Sequence, residues 1–176
     1  MLAALCQEQL VRYDRLRRSK LLAYNENHPN QTIGLSVISI GKPEVGKAVS
    51  NHLNLLDANL WLYADPDSAL YSAIDLNTGI SNFITMDTAY TFRDRLMGKR
   101  QDGMSDLKDV MNKWKDAFYT PPREDQAFQQ GGVLIFGGEQ DQLHYSHYDP
   151  STGAHVEAEV VFQKALDLAS SLKSKD

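Results

Sequence analysis

Apolar side chains near both ends of the chain recur at the spacing of a single helix face. Leu2, Cys6, Leu10 and Tyr13 are separated by four, four and three residues, which predicts an amphipathic helix over about residues 2–22. A second apolar face predicts a helix near the end of the chain, formed by Ala158, Val161, Phe162, Ala165, Leu168 and Ala169.

The first helix also carries a cluster of basic residues beside its apolar face. The cluster consists of Arg12, Arg15, Arg17, Arg18 and Lys20. Such a cluster is typical of a solvated helix face, and positive charge also suits the end of a helix. We therefore expect these side chains to be exposed, with an anion-binding surface as the alternative.

Four uncharged segments predict β-strands. Residues 32–40 read Thr-Ile-Gly-Leu-Ser-Val-Ile-Ser-Ile, a composition typical of a strand buried on both faces. Leu60–Tyr63 predicts a second, shorter strand. Val133–Phe136 and Leu143–Tyr148 are separated by a segment that begins with two glycines, Gly137 and Gly138, and this spacing predicts a β-hairpin.

Prolines mark the beginnings of two further helices. Pro43 predicts a helix that continues to about Leu53, because proline is favoured in the first helical turn. Asp65 followed by Pro66 predicts a cap and first helical residue for a helix over Ser68–Ile74. Helical spacing also predicts a helix in the middle of the chain, carrying Leu107, Val110, Met111, Trp114 and Phe118.

The order of these elements predicts the fold class. Strands separated by helices form parallel pairs, whereas the late hairpin adds an antiparallel pair. We therefore predict an α/β protein with a thioredoxin-like three-layer α/β/α sandwich and a mixed sheet. Its 176 residues suffice for one domain, and we assign residues 1–176 to it.

Composition excludes several classes of protein. Lys plus Arg number 18 and Asp plus Glu number 23, which gives a net charge of -5, so overall attraction to nucleic acid or to an anionic membrane is not expected. No apolar run approaches the roughly 20 residues of a membrane helix. The one cysteine, Cys6, excludes an internal disulfide and a multi-cysteine zinc site. We expect an intracellular protein, either cytoplasmic or plastid.

Two further motifs do not predict a binding site. Residues 41–47 fit the Gly-x-x-x-x-Gly-Lys pattern of a phosphate-binding loop, but Ala48 replaces the hydroxyl that holds magnesium. That segment is therefore expected to begin a helix. His144 and His147 are three residues apart on a strand, so their rings point to opposite faces and no metal site is predicted.

Cys6 is the strongest candidate for chemistry. A thiol near a helix N-terminus gains thiolate character from the free amides of the first turn. Cys6 also lies on the apolar face with Leu10 and Tyr13, where a cysteine is usually a small buried hydrophobe. From the pattern alone we expect a buried Cys6.

With these segments in place, the chain resembles the peroxiredoxin-like branch of the alkyl hydroperoxide reductase/thiol-specific antioxidant (AhpC/TSA) group, whose members have a thioredoxin fold. The resemblance extends from Cys6 to about Leu168 and depends on the joint order of several short stretches. They are Cys6–Leu10, Val37–Gly41, Tyr63–Pro66 with Ala69–Tyr71, Phe128–Gly132, Tyr145–Asp149 and Gly153–His155.

The resemblance implies chemistry at a Cys-x-x-Cys pair, in which the first cysteine attacks a peroxide and the second resolves the product. Aligned through Cys6–Leu10, Cys6 corresponds to the second cysteine and Ala3 occupies the attacking position. Exchange between two cysteines of one chain is therefore not available here. Cys6 remains the catalytic candidate.

The resemblance also implies a central strand before the first helix, yet Met1 lies only five residues before Cys6. Without that strand, backbone groups on both of its neighbours lose their partners. We expect the chain to be a truncated form of a longer one. The alternative is a degenerate copy in which the sheet rearranges or a second chain fills the gap.

Two functional hypotheses follow. In the first, Cys6 is oxidised by a hydroperoxide and then reduced by an external thiol such as thioredoxin or glutathione, with no metal or organic cofactor and no nucleic-acid or membrane partner. In the second, the chain is a non-catalytic thioredoxin-fold scaffold or interaction module that has lost the attacking cysteine.

Overall fold

Helices and strands alternate along the part of the chain that the structure describes. The computed structural model describes residues 2–79, 90, 93–94, 96–97, 108, 112, 121–138, 141–151 and 154–173. Its main elements are α1 (Leu2–Leu16), α2 (Leu22–Asn27), β1 (Val37–Ser39), α3 (Pro43–Leu53), β2 (Leu62–Ala64), α4 (Ala69–Ala73), β3 (Gly132–Gly137), β4 (Gln142–Tyr148) and α5 (Ala158–Lys173). A π-helical turn at Arg17–Leu21 joins α1 to α2, and 3-10 turns cover Ala58–Leu60 and Glu124–Phe128.

The described strands form two separate two-stranded sheets. β1 pairs with β2 in parallel, with Val37 opposite Leu62. β3 pairs with β4 in antiparallel orientation, with an irregularity between Ile135 and Phe136. The parallel pair and the hairpin confirm the α/β prediction. The strands that the structure describes are not joined into the single mixed sheet that was expected.

The strand predicted over residues 32–40 is shorter than expected. Only Val37–Ser39 is paired as a strand, and its side chains are half-buried or exposed, so the prediction of a strand buried on both faces is wrong. Asn25 gives the physical reason. Its side chain accepts a hydrogen bond from the Ile33 amide at 2.8 Å and donates one to the Ile33 carbonyl at 3.0 Å, which satisfies this backbone without a neighbouring strand.

Of the two helices predicted from prolines, one begins at its proline and the other does not. α3 begins at Pro43 and ends at Leu53, as predicted, and Asn54 closes it in the left-handed conformation. α4 begins later than predicted, because Asp65 reaches over the intervening turn. Its carboxylate accepts hydrogen bonds from the amides of Ala69 and Leu70, both at 2.9 Å. Pro66 lies in that turn, so its assignment as the first helical residue is wrong.

Two members of the basic cluster are buried, which corrects the expectation of a solvated face. Arg12 and Arg17 are 4% and 8% exposed. Arg12 lies between two carboxylates, with Nε 3.8 Å from Glu8 and an Nη atom 3.6 Å from Glu159. Arg17 donates to the Leu56 carbonyl at 2.7 Å. Each is compensated by a specific partner, which is the condition for burying a charge.

The core is centred on α1. One group of buried residues joins Leu10 on α1 to Val49 on α3 and to Trp61. A second group joins Leu16 to Phe162 on α5. Tyr13 packs against both groups, so one helix holds the two sheet-bearing halves together through apolar burial.

The end of the chain follows its predicted pattern. β3, β4 and α5 all form, and the face chosen for α5 is its buried or half-buried one. The apolar positions of the predicted central helix, residues 107–118, lie outside the described residues. Among the described helices, none combines the length and apolarity that crossing a membrane requires.

Candidate functional site

A cleft of about 150 Å³ lies between β1 and β3. Val37–Ser39 form one wall, and Gly131–Val133 line the opposite wall at the start of β3. Cys6 and Tyr13 project into it from α1, and the remaining lining residues are Gln9, Leu10, Tyr71, Asp149, His155 and Val156. The cleft therefore occupies the space between the two sheets.

The edge of β1 that faces away from β2 is closed by a tyrosine. The Val37 amide donates a hydrogen bond to the Trp61 carbonyl, and the Ser39 carbonyl accepts one from the Asp65 amide. Backbone groups alternate in direction along a strand, so the amide and carbonyl of Ile38 point to the opposite edge. There the Tyr71 hydroxyl donates to the Ile38 carbonyl at 2.8 Å. Loss of solvation and nearby negative charge raise the pKa of Tyr71, which keeps this donor protonated.

Cys6 is exposed, so the expectation of a buried thiol is wrong. It opens into the cleft, where protein surrounds it on several sides while solvent still reaches it. Reduced solvation raises the pKa of Cys6 above its usual 9.0, and the charge of Asp149 raises it further. A backbone hydrogen bond opposes these two effects. An isolated thiol in this place is accessible but mostly protonated at neutral pH.

Asp149 forms a carboxylate–histidine cluster beside that thiol. Its side chain is 4% exposed, and Oδ2 lies 2.5 Å from Nδ1 of His155. Oδ1 lies 3.3 Å from Nε2 of His147. Two imidazole rings thus face one buried carboxylate, and the short contact fixes the orientation of the His155 ring.

Several contacts hold Asp149 in position at the end of β4. Its amide donates to the Gly131 carbonyl at 3.0 Å, and its own carbonyl accepts from the Asn77 side chain at 3.0 Å. A Cβ atom on Gly131 would lie 2.9 Å from Oδ2 of Asp149. Glycine at residue 131 is therefore what lets the carboxylate turn toward His155.

Gln9 adds a polar group to the cleft wall. Its side-chain oxygen is shielded from solvent and has no hydrogen-bond partner among the described residues. A small molecule carrying an O–H group would supply the missing donor.

Other candidates from the sequence do not converge here. The segment 41–47 begins α3, with the Gly46 amide bonded to the Lys42 carbonyl, as expected for a helix start. Nε2 of His144 lies 3.2 Å from the Gly137 carbonyl, whereas His147 faces Asp149. The described residues contain no group of three or more His, Cys, Asp or Glu side chains arranged to hold a metal ion.

The pairing of Asp149 with His155 was missed in the sequence. Both residues appear in the stretches that carried the family resemblance, yet their chemistry went unassigned. The available signal was the sequence Asp-Pro-Ser-Thr-Gly at residues 149–153, whose residue types favour a turn and so predict that the flanking residues lie close together. The position of His155 relative to Cys6 depends on the packing of α1 against α5, which no local pattern encodes.

Comparison with known proteins gives two findings. The family model for AhpC/TSA antioxidant enzymes matches residues 20–151. A thioredoxin-like protein from Arabidopsis thaliana, described as AAED1, chloroplastic, is 32% identical over 93 residues. No solved structure matches the chain.

The extent of these matches matters for the site. The Arabidopsis match covers 52% of this chain and 33% of that protein, so the chain matches about a third of its curated relative's length. The family match includes Asp149 and ends before His155, and it begins after Cys6. The thiol and the histidine therefore lie outside the matched residues.

Proposed function

The chain belongs to the AhpC/TSA antioxidant enzyme family, and from that premise we propose that it reduces hydroperoxides through the single thiol of Cys6. The family has a thioredoxin-like α/β fold and a thiol-related redox function. The observation that carries the proposal is the accessible thiol of Cys6 in a cleft shared with a carboxylate–histidine pair.

The proposed reaction is complete with one cysteine. The Cys6 thiolate attacks an oxygen of the hydroperoxide, the S–O bond forms as the O–O bond breaks, and an alcohol or water leaves after protonation. The thiol is oxidised to a sulfenic acid and the peroxide is reduced. A cleft of about 150 Å³ suits hydrogen peroxide or a short alkyl hydroperoxide.

An external thiol completes the cycle. It displaces water from the sulfenic acid to give a mixed disulfide, and a second thiol releases Cys6 with formation of a disulfide between the two reductants. Glutathione and thioredoxin are the two reductants we propose, because Cys6 is the only cysteine and the chain offers no second thiol to resolve the sulfenic acid.

A second candidate function is a non-catalytic scaffold. It is supported by the raised pKa of Cys6, which lowers the thiolate fraction at neutral pH. In this case the cleft would serve binding or stability, and the thiol would not react with peroxide in the folded protein.

Trapping of sulfenic acid distinguishes the two functions. The folded chain is treated with dilute hydrogen peroxide in the presence of a 1,3-dione that labels sulfenic acid, and the intact mass is measured. We expect one label in the folded protein and none in Cys6→Ser. Labelling that requires denaturant would contradict the peroxidase proposal and support the scaffold.

Regeneration is tested in the same protein. Peroxide-oxidised chain is incubated with glutathione alone or with thioredoxin and its reductase, and recovery of free Cys6 thiol is followed by mass. We expect recovery with one of them. A sulfenic acid that neither reduces would contradict a catalytic cycle.

A further inference from the structure

We propose that the cleft between β1 and β3 binds an extended peptide segment of a partner protein, which pairs as a strand with the edges of both. The inference goes beyond the proposed redox function, because peptide binding makes no use of the Cys6 thiol. The backbone groups on the two walls, the small volume of the cleft and a strand contact beside it support this assignment.

The first wall of the cleft is the free edge of β1. Val37 and Ser39 direct their backbone groups to β2, so the amide and carbonyl of Ile38 point into the cleft. The Tyr71 hydroxyl covers the Ile38 carbonyl at 2.8 Å. Among the described residues, no group accepts a hydrogen bond from the Ile38 amide. β1 therefore offers an incoming strand one donor and, once Tyr71 is displaced, one acceptor.

The second wall is the free edge of β3. The Gly131 carbonyl accepts a hydrogen bond from the Asp149 amide at 3.0 Å, so Gly131 and Val133 belong to the pairs that bond to β4. The amides and carbonyls of Gly132 and Leu134 face away from β4, and the described part of the chain supplies no backbone partner for them. The start of β3 lines the cleft, so this edge faces β1 across it.

A segment of the chain already pairs with this edge just before β3. Residues 77–79 lie antiparallel to residues 128–130, and the Gln130 amide donates to the Asn77 carbonyl at 2.8 Å. The chain then turns away, because the Leu76 amide bonds back to the Tyr71 carbonyl at 3.1 Å. A peptide in the cleft continues the strand pairing of this edge beyond the point where the chain's own segment ends.

The two facing edges require an isolated extended segment rather than a second copy of this chain. A strand that fills the cleft needs both of its own edges free, because it forms hydrogen bonds with β1 on one side and β3 on the other. Each described strand of this chain is already paired along one edge, so a folded second copy presents only one. A flexible segment of a partner meets the requirement and gains affinity from main-chain hydrogen bonds.

The cleft also limits the side chains of the peptide. Its volume is about 150 Å³, and an apolar cavity of about that size holds a molecule such as benzene. Leu10, Tyr13 and Val156 make part of its lining apolar. We therefore expect small uncharged side chains such as alanine, serine and valine. Proline is excluded, because it lacks the amide hydrogen that pairing requires.

The first experiment measures amide hydrogen exchange of the full chain by NMR, with and without the capped peptide Ser-Ala-Val-Ala-Val-Ala-Ser. Main-chain hydrogen bonds supply the affinity, so this generic sequence is a sufficient probe. We expect about tenfold slower exchange at Ile38, Gly132 and Leu134 with saturating peptide. The matched control is Leu62, whose amide lies on the outer edge of β2 and should not change.

Three results of that experiment would overturn the proposal. The first is an absence of protection at the cleft, and the second is protection at Leu62 in its place. The third is equal affinity for the analogue with proline at the central alanine, since every amide of a strand with two neighbours is bonded. A dimer whose Ile38 amide is protected without peptide would identify a second copy as the occupant and would also overturn it.

Cys6 permits a test that needs no substitution. It opens into the cleft and is the only cysteine, so N-ethylmaleimide adds one bulky group there. We expect the modified chain to lose binding of a fluorescent form of the peptide, and bound peptide to slow the modification. Equal binding by modified and unmodified chain would place the peptide elsewhere and overturn the proposal.

Tyr71 provides a matched pair of variants. Tyr71→Phe removes the hydroxyl that the peptide must displace from the Ile38 carbonyl, so we expect it to bind the peptide about threefold more tightly, the effect of one net hydrogen bond. Tyr63→Phe is the control, because its hydroxyl contacts the Leu60 carbonyl at an exposed position. Equal peptide affinities of the two variants would overturn the pairing with β1.

Discussion

Gly131 illustrates how a single residue determines the geometry of the candidate site. In the sequence it lies two residues before the predicted strand Val133–Phe136. In the structure, a Cβ at this position would lie 2.9 Å from Oδ2 of Asp149, closer than carbon and oxygen pack without repulsion. The carboxylate–histidine contact therefore depends on the absence of one methyl group.

We expect Gly131→Ala to destabilise the fold by about 1–3 kcal/mol, because the added methyl must displace a buried carboxylate. Urea unfolding measures the free-energy change. Gly34→Ala is the matched control, because a Cβ at Gly34 meets no atom within 4 Å. Equal free energies of unfolding for the two variants would contradict the proposed crowding.

Sequence pattern gave Cys6 as the candidate residue and misjudged its surroundings. Cys6 is the only cysteine, and its place on the apolar face predicted burial. Burial depends on what packs against that face, and at Cys6 the neighbouring space is a cleft rather than another side chain. His155 was missed for the same reason, because its partner Asp149 is fixed by contacts with residues 77 and 131.

Among the elements, those with strong local signals matched their predictions. α3 has proline in its first turn, and the β3–β4 hairpin follows the predicted pattern, so local chemistry sufficed for both. β1 is shorter than its prediction, because the Asn25 side chain, eight residues earlier, satisfies the backbone groups of Ile33, and strand propensity does not encode that contact. α4 similarly begins after Pro66, because the Asp65 carboxylate accepts a hydrogen bond from the Ala69 amide.

The π-helical turn after α1 docks through Arg17 onto Leu56 and Trp61. Its guanidinium donates to the Leu56 carbonyl at 2.7 Å and lies 5.7 Å from the centre of the Trp61 ring. We expect Arg17→Lys to destabilise the fold by about 1–3 kcal/mol, because a lysine cannot reproduce the planar donor and the ring contact together.

Thermal or urea unfolding measures this effect, with the exposed Arg15→Lys as the matched control. Surface changes of that kind are expected to alter stability by less than about 0.5 kcal/mol. Equal losses in both variants would mean that the contacts of Arg17 with Leu56 and Trp61 add no stability.

In the molecule as a whole, α1 connects the two sheet-bearing halves and also carries the thiol. Leu10 and Leu16 pack against opposite halves, and Cys6 lies on the same helix at the cleft between them. The candidate site is therefore composite: its thiol comes from α1, its carboxylate from the end of β4 and its histidine from the segment before α5. Sequence patterns predict each element separately, whereas the distances between them arise only when all three pack together.

The same cleft sets the response of the whole protein to alkaline pH. Burial raises the pKa values of Tyr13 and Tyr71 above the ordinary 10.0, and nearby carboxylates add to the rise. These groups stay protonated in the folded chain at a pH where the unfolded chain has begun to lose their protons. The unfolded state then binds fewer protons than the folded state, so the free energy of unfolding falls as pH rises.

We therefore expect the free energy of unfolding to be fully retained below about pH 9 and to fall above about pH 10, where tyrosine ordinarily ionises. The expected slope is about 1.4 kcal/mol per pH unit for each tyrosine that is protonated only in the folded state. Urea unfolding across this range measures the slope. Tyr13→Phe and Tyr71→Phe should each reduce it, whereas Tyr63→Phe, at an exposed position, should leave it unchanged. A free energy of unfolding that stays level above pH 10 would mean that these two hydroxyl groups ionise as readily in the folded cleft as in the unfolded chain.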